Sequence, residues 1–106
     1  MSEIKNAVIK TTKITNDEHG LLSAWLGLDY GGQAQGFGGY CLYNPSHSEE
    51  NSYAGHFIWR VLEVVGVSEW SQLVGKTIRV RASHAKVEAI GHIVKDEWFE
   101  PSKEWG

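Results

Sequence analysis

The residues best suited to chemistry lie in two places. In the run Leu28-Asp29-Tyr30-Gly31-Gly32-Gln33-Ala34-Gln35-Gly36-Phe37-Gly38-Gly39-Tyr40, five glycines and three aromatics share thirteen positions. Glycine reaches positive φ and lets another group approach the main chain, at an entropic cost. Either something sits against this backbone, or the stretch is a tight turn with β-bulges between two strands. The N–H groups of Gly36, Phe37, Gly38 and Gly39 would form a nest able to hold an anion, while Tyr30, Phe37 and Tyr40 are flat enough to stack on a base. The second place is Arg79 and Arg81, which alternate with Ile78 and Val80. A pair of guanidinium groups clamps phosphate oxygens; equally, such a face is an ordinary solvated sheet surface. Glycines, aromatics and arginines together describe a nucleotide pocket better than they describe an enzyme.

Catalytic signatures are weak. The histidines are His19, His47, His56, His84 and His92, and no two stand at the spacing of a helical metal pair or a His-x-His strand pair. No metal and no cofactor is expected. Cys41 beside Leu42 reads as a small core residue more readily than as a nucleophile, and the carboxylates form no acid-base pair. Gly36-Phe37-Gly38-Gly39 is not followed by Lys-Ser/Thr, and it runs from strand to strand, which matches neither a Walker nor a Rossmann phosphate loop.

The elements that must position these groups read as follows. Residues 7–14 are rich in β-branched side chains, as in a partly exposed strand, and 15–20 carry turn chemistry. The nearly continuous apolar run 21–30 fits a central strand covered on both faces, with the glycine stretch beginning where it ends and a third strand at 38–43. Pro45 marks a loop leading to a helix over about 52–65, with Ser48, Asn51 or Ser52 as cap and Gly66 as stop. Its stripe would be Phe57, Ile58, Val61, Leu62 and Val65, with His56, Arg60 and Glu63 opposite. A short helix over about 68–73, capped by Ser68 and anchored by Trp70, leads to strands at 77–83 and 87–94 and an aromatic, acidic tail at 97–106. The expected fold is α+β: one domain, with an antiparallel sheet of about five strands covered by one main helix and a short second helix.

Composition bounds the partners. The 106 residues fit one domain. The N-terminus lacks a signal peptide's apolar region, no run approaches a membrane span, and the single cysteine suits a reducing cytoplasm. A net charge of -3 argues against bulk binding to duplex DNA. Five tryptophans exceed what so small a core needs, placing some at a ligand or partner surface. With a sheet edge available, a symmetric homo-oligomer is expected.

Several segments, Asn6-Ala7, His19-Gly20, the run from Leu28 to Tyr40, and Ile90-Gly91-His92-Ile93-Val94-Lys95-Asp96-Glu97-Trp98-Phe99, resemble a group of small bacteriophage proteins, the Thoeris anti-defence sponges. The resemblance implies a non-catalytic protein of the host cytoplasm during infection. Such a protein sequesters the cyclic ADP-ribose isomer made by host TIR-domain enzymes, and its relatives are oligomers with pockets near subunit interfaces. Such a ligand asks for paired cations, backbone donors and an aromatic clamp. Gly36, Phe37, Gly38, Gly39, Tyr40, Trp70, Arg79 and Arg81 are the candidate ligand-binding residues, with Lys95 for phosphate and Asp96 for a ribose hydroxyl; Trp98 is a further clamp. Two other readings stand beside this one. A phage protein could inhibit a host protein through Trp98, Phe99 and Trp105, or a small phosphodiesterase could use His56 or His92 beside an arginine.

Overall fold

The computed structural model describes residues 3–16, 20–40, 42, 53–83 and 86–105. The order is β1 (Glu3–Asn16), β2 (Leu22–Tyr30), β3 (Gln33–Gly38), α1 (Ala54–Val65), a 3-10 turn (Trp70–Gln72), β4 (Thr77–Ala82), β5 (Val87–Gly91), β6 (Trp98–Phe99) and α2 (Pro101–Glu104). All six strands join one antiparallel sheet, ordered β3-β2-β1-β4-β5-β6. The fold is α+β, with six strands among the described residues where about five were expected.

The extra length of β1 explains the architecture. Its first half pairs with β4 and its second half with β2, and the register shifts between Ile9 and Thr11. Such a bulge bends a strand and sharpens its twist. The bend curls the sheet until β3 and β5, separated by three strands in the ladder, bring Cα atoms within 8 Å of each other. Both run in the direction of β1, so the curl is that of a partly closed barrel with an inside and an outside.

Alternation assigns the faces. Ala7, Ile9, Leu26, Leu28, Phe37, Ile78, Val80, Ile90 and Phe99 point inward and are buried. Phe57, Val61, Val64 and Val65 of α1 complete this core, each fully buried side chain contributing about 2 kcal/mol. Their spacing of four, three and one is a single helical face, rotated slightly from the stripe anticipated, so that Val64 is buried while Ile58 and Leu62 only pack partly against the core. Gly66 stops α1 in the left-handed region at φ 87°, as anticipated.

Several expectations differ, beginning with β1, which runs Glu3–Asn16 rather than 7–14 and takes in two residues of the expected turn. Segment 22–30 is not covered on both faces: Trp25 points outward and is 40% exposed, because no described element lies over the outside of β2. The third strand is Gln33–Gly38 rather than 38–43, so most of the glycine stretch is itself the strand. Gly31 and Gly32, at φ 64° and 80°, form its two-residue hairpin turn, a turn type that requires positive φ at both positions. The expected strand 87–94 ends at Gly91, and the presumed tail folds back as β6 and α2. The 3-10 turn is capped by Glu69 and Gln72, not Ser68, through a reciprocal capping box. The expected caps Ser48, Asn51 and Ser52, the Pro45 loop and Cys41 lie outside the described residues.

Candidate functional site

Two of the glycines make room for an indole. Trp25 pairs with Gly38 and, one step along, Gly27 pairs with Gly36. A Cβ built on Gly36 would stand 2.7 Å from Trp25 Cε3, and one on Gly39 would overlap the far edge of the same ring. Trp25 therefore lies flat across β3 on a bed of backbone, a cross-strand pairing that restores the cover a glycine lacks. Gly38, at φ 120°, has its own reason: a Cβ there would strike the Ala24 carbonyl, which receives the Gly39 N–H at 2.7 Å. The group that approaches this backbone belongs to the chain itself.

Beside the ring is a cavity of about 520 Å³ lined by Trp25, Gln35, Gly36, Gly38, Tyr40, Lys86 and Val87. It lies between β3 and the start of β5, where the curled sheet nearly closes. Lys86 is exposed at one side and Gln35 is half-buried. Tyr40 meets Trp105 edge-on at 5.5 Å. Burial raises its phenol pKa, and the charges of Glu100 and Glu88 raise it further, so it stays a neutral hydroxyl. The cleft thus offers a flat apolar platform, one ammonium and one phenol: a set that stacks on a planar ring and bonds its edge.

Of the residues singled out in the sequence, Gly36, Gly38 and Tyr40 line this cleft and Gly39 floors its tryptophan. Phe37 does not belong to it. Its side chain points inward, is wholly buried, and stacks on Phe57 at 5.9 Å and 17°, because in a strand its phase is opposite to that of Gly36 and Gly38. Trp70 is half-buried against the core on the 3-10 turn and does not line the cleft.

Arg79 and Arg81 also face outward, but on β4, with β1 and β2 between them and β3. They do not converge on the glycines. Both guanidinium groups lie over Trp98, at 4.9 and 5.0 Å from its ring, and Trp98 rests on Gly91 as Trp25 rests on Gly36. Arg79 donates to the carbonyls of His92 and Lys95, each at 2.7 Å, and Arg81 to the Glu100 carboxylate. Arg79 and Lys95 do meet, though through the lysine's carbonyl rather than its ammonium. Asp96 is exposed in the same turn. The two arginines brace the β5–β6 hairpin, and none of Arg79, Arg81, Lys95 and Asp96 lines the cleft.

Candidate catalytic histidines are similarly engaged. His56 Nδ1 accepts the Trp105 indole N–H at 2.8 Å, and His92 Nδ1 accepts the Val94 and Lys95 N–H groups at 3.0 Å each. His19, His47 and His84 lie outside the described residues. Among the described residues no group of three or more His, Cys, Asp or Glu is placed to hold a metal. No described helix is long and apolar enough to cross a membrane. The tail aromatics are anchored too: Phe99 is wholly buried, and Trp105 stacks on Tyr53 at 4.4 Å and 13°.

Sequence reasoning missed Trp25, Gln35 and Lys86. A signal for Trp25 was present: it is out of phase with Leu26, Leu28 and Tyr30, so a strand that buries those three must turn the tryptophan outward. Gln35 and Lys86 carry no comparable signal, since only the closure of the curl brings them together. No protein-family model, curated protein or solved structure matches the chain.

Proposed function

We propose that the protein is a non-catalytic binder that captures a nucleotide signal in the Trp25 cleft. The observation that carries this is the exposed indole laid flat on Gly36 and Gly39, a stacking platform with open space beside it. Such a surface holds a base; Lys86 reaches a phosphate, and the Tyr40 hydroxyl bonds a base or ribose edge. Capture needs no acid-base machinery. The resemblance to the Thoeris anti-defence sponges gives the ligand its specific form, a cyclic ADP-ribose isomer, and the setting, the cytoplasm of an infected bacterium with the protein acting as a homo-oligomer.

Chain path supports the reading by analogy. A long bulged first strand shared between two pairings, a helix between the third and fourth strands, and approach of the third strand to the fifth follow the plan of the OB barrel. In that plan ligands lie on the outer face of the second and third strands, flanked by the turns that follow the first and fourth. Trp25, Gly36 and Lys86 occupy that face and one of those turns. The analogy concerns the fold, and the function rests on the site.

The test is calorimetric titration with cyclic ADP-ribose isomers and a panel of other cyclic nucleotides, followed by denaturation and recovery of the ligand. Stoichiometric binding with the ligand recovered intact is expected. Trp25→Ala should cost about 1–3 kcal/mol of binding, the worth of one base stacked on an aromatic, and Trp25→Phe part of that. Recovery of a hydrolysed product, or affinity indifferent to Trp25→Ala, overturns the proposal. Light scattering showing a monomer at micromolar concentration contradicts the oligomer.

A further inference from the structure

The two ends of the curled sheet are built differently. Toward α1 its inward positions are apolar and the helix closes the end with Phe57, Val61 and Val64. Toward the opposite end the same inward phase carries polar side chains. Glu3 pairs with Ala82 and Lys5 with Val80, while Gln33 pairs with Tyr30 and Gln35 with Leu28. Directly paired residues point to one side of a sheet, so Glu3, Lys5, Gln33 and Gln35 all project into the barrel. There they border an open cavity of about 760 Å³, whose lining is completed by Tyr30, Ala82 and Ser83.

We propose that this mouth is a second binding site, independent of the Trp25 cleft, for an uncharged polyhydroxylated ligand the size of one or two sugar rings. Its volume falls within the range of small-molecule sites. Charge decides against an anion: the one cationic group among the described lining residues, the Lys5 ammonium, already stands 3.7 Å from the Glu3 carboxylate, so the pair offers no net positive field. Shape decides against a flat base. Tyr30 is the only aromatic among the described lining residues; its ring is nearly wholly buried and has the Lys5 ammonium over it at 5.6 Å, leaving no open face to stack on. What remains is a ring of donors and acceptors. The carboxamides of Gln33 and Gln35 each give and accept, and neither has a hydrogen-bond partner among the described residues. A carboxylate and an ammonium flank them. Vicinal hydroxyls, which also give and accept, are the groups that satisfy such a set.

Gln35 lines both cavities, so the discriminating substitutions are Glu3→Ala and Gln33→Ala, at exposed positions where the fold has little to lose. Isotope-edited NMR titration of the whole chain with maltose and with N,N′-diacetylchitobiose should show saturable shifts around residues 3–5 and 33–35 for at least one of them. Loss of two direct hydrogen bonds in the double variant should weaken binding by about tenfold or more, with nucleotide binding at Trp25 unchanged. Absence of saturation with both disaccharides overturns the proposal, as does undiminished binding by the double variant. Nucleotide-induced shifts confined to this mouth would overturn it as well.

Discussion

If Gly36 is glycine because Trp25 lies on it, then Gly36→Ala should move the indole without unfolding the protein. Gly36 has no positive φ to strain, so the whole effect comes from a methyl placed 2.7 Å from Cε3. The ring is the outer part of a side chain 40% exposed, so it can swing away. About 250 Å² of indole surface, some three fifths of it covered, leaves roughly 150 Å² buried; losing half of that at 25 cal/mol per Å² costs about 2 kcal/mol. Replacing glycine within a strand returns about 0.5–1 kcal/mol of backbone entropy. The net is a loss of about 1 kcal/mol, or roughly 5 °C in Tm for a domain of this size. Nucleotide affinity should fall by about as much as in Trp25→Ala, although no ligand contact has been removed. Thermal melts followed by calorimetry measure the two quantities, and 5-fluorotryptophan NMR reports the Trp25 environment. A variant with the Trp25 resonance unmoved and affinity intact would refute the reasoning and return the glycines to the role of a nest for the ligand itself.

Other outcomes follow from the same geometry. Phe37→Ala, which opens the stack on Phe57, should cost about 3–5 kcal/mol in urea unfolding, far more than a ligand-facing phenylalanine would. Arg79→Met should free the His92 and Lys95 carbonyls, raising amide hydrogen exchange across residues 92–97 while leaving calorimetric nucleotide affinity unchanged; a loss of affinity would place the arginine at the ligand after all. Burial raises the phenol pKa of Tyr30, and burial with Glu100 and Glu88 raises that of Tyr40, above the usual 10.0. A raised folded pKa gives stability that is full below the unfolded value and lost as pH climbs through the folded one. The contribution of these two tyrosines to stability should therefore be constant below about pH 10 and decline above it, less steeply in Tyr40→Phe, as followed by tyrosinate absorbance and circular dichroism across the alkaline range.

The α+β class and much of its punctuation were legible in the residue pattern alone. Alternation in 77–82 fixed which residues of β4 face inward, the helical spacing of Phe57, Val61 and Val65 announced α1, and Gly66 marked its end, all because these signals are local to one element. The pattern also marked the glycine stretch as either a turn or a place where a group lies against the backbone, and the structure uses it for both. What the pattern could not contain was the identity of that group. Trp25 reaches Gly36 and Gly39 only because β2 and β3 pair in one register; a slip of one residue would send the indole inward. The same limit hid the fate of Arg79 and Arg81, which looked available for phosphate and are instead laid over Trp98 by the pairing of Gly91 with both Arg79 and Trp98. Closure of the curl, with Lys86 brought to Gln35 and polar side chains gathered at one mouth, depends on the bulge after Ile9. Period within a strand is written in neighbouring residues, whereas the neighbours across strands are chosen by the packing of the whole sheet.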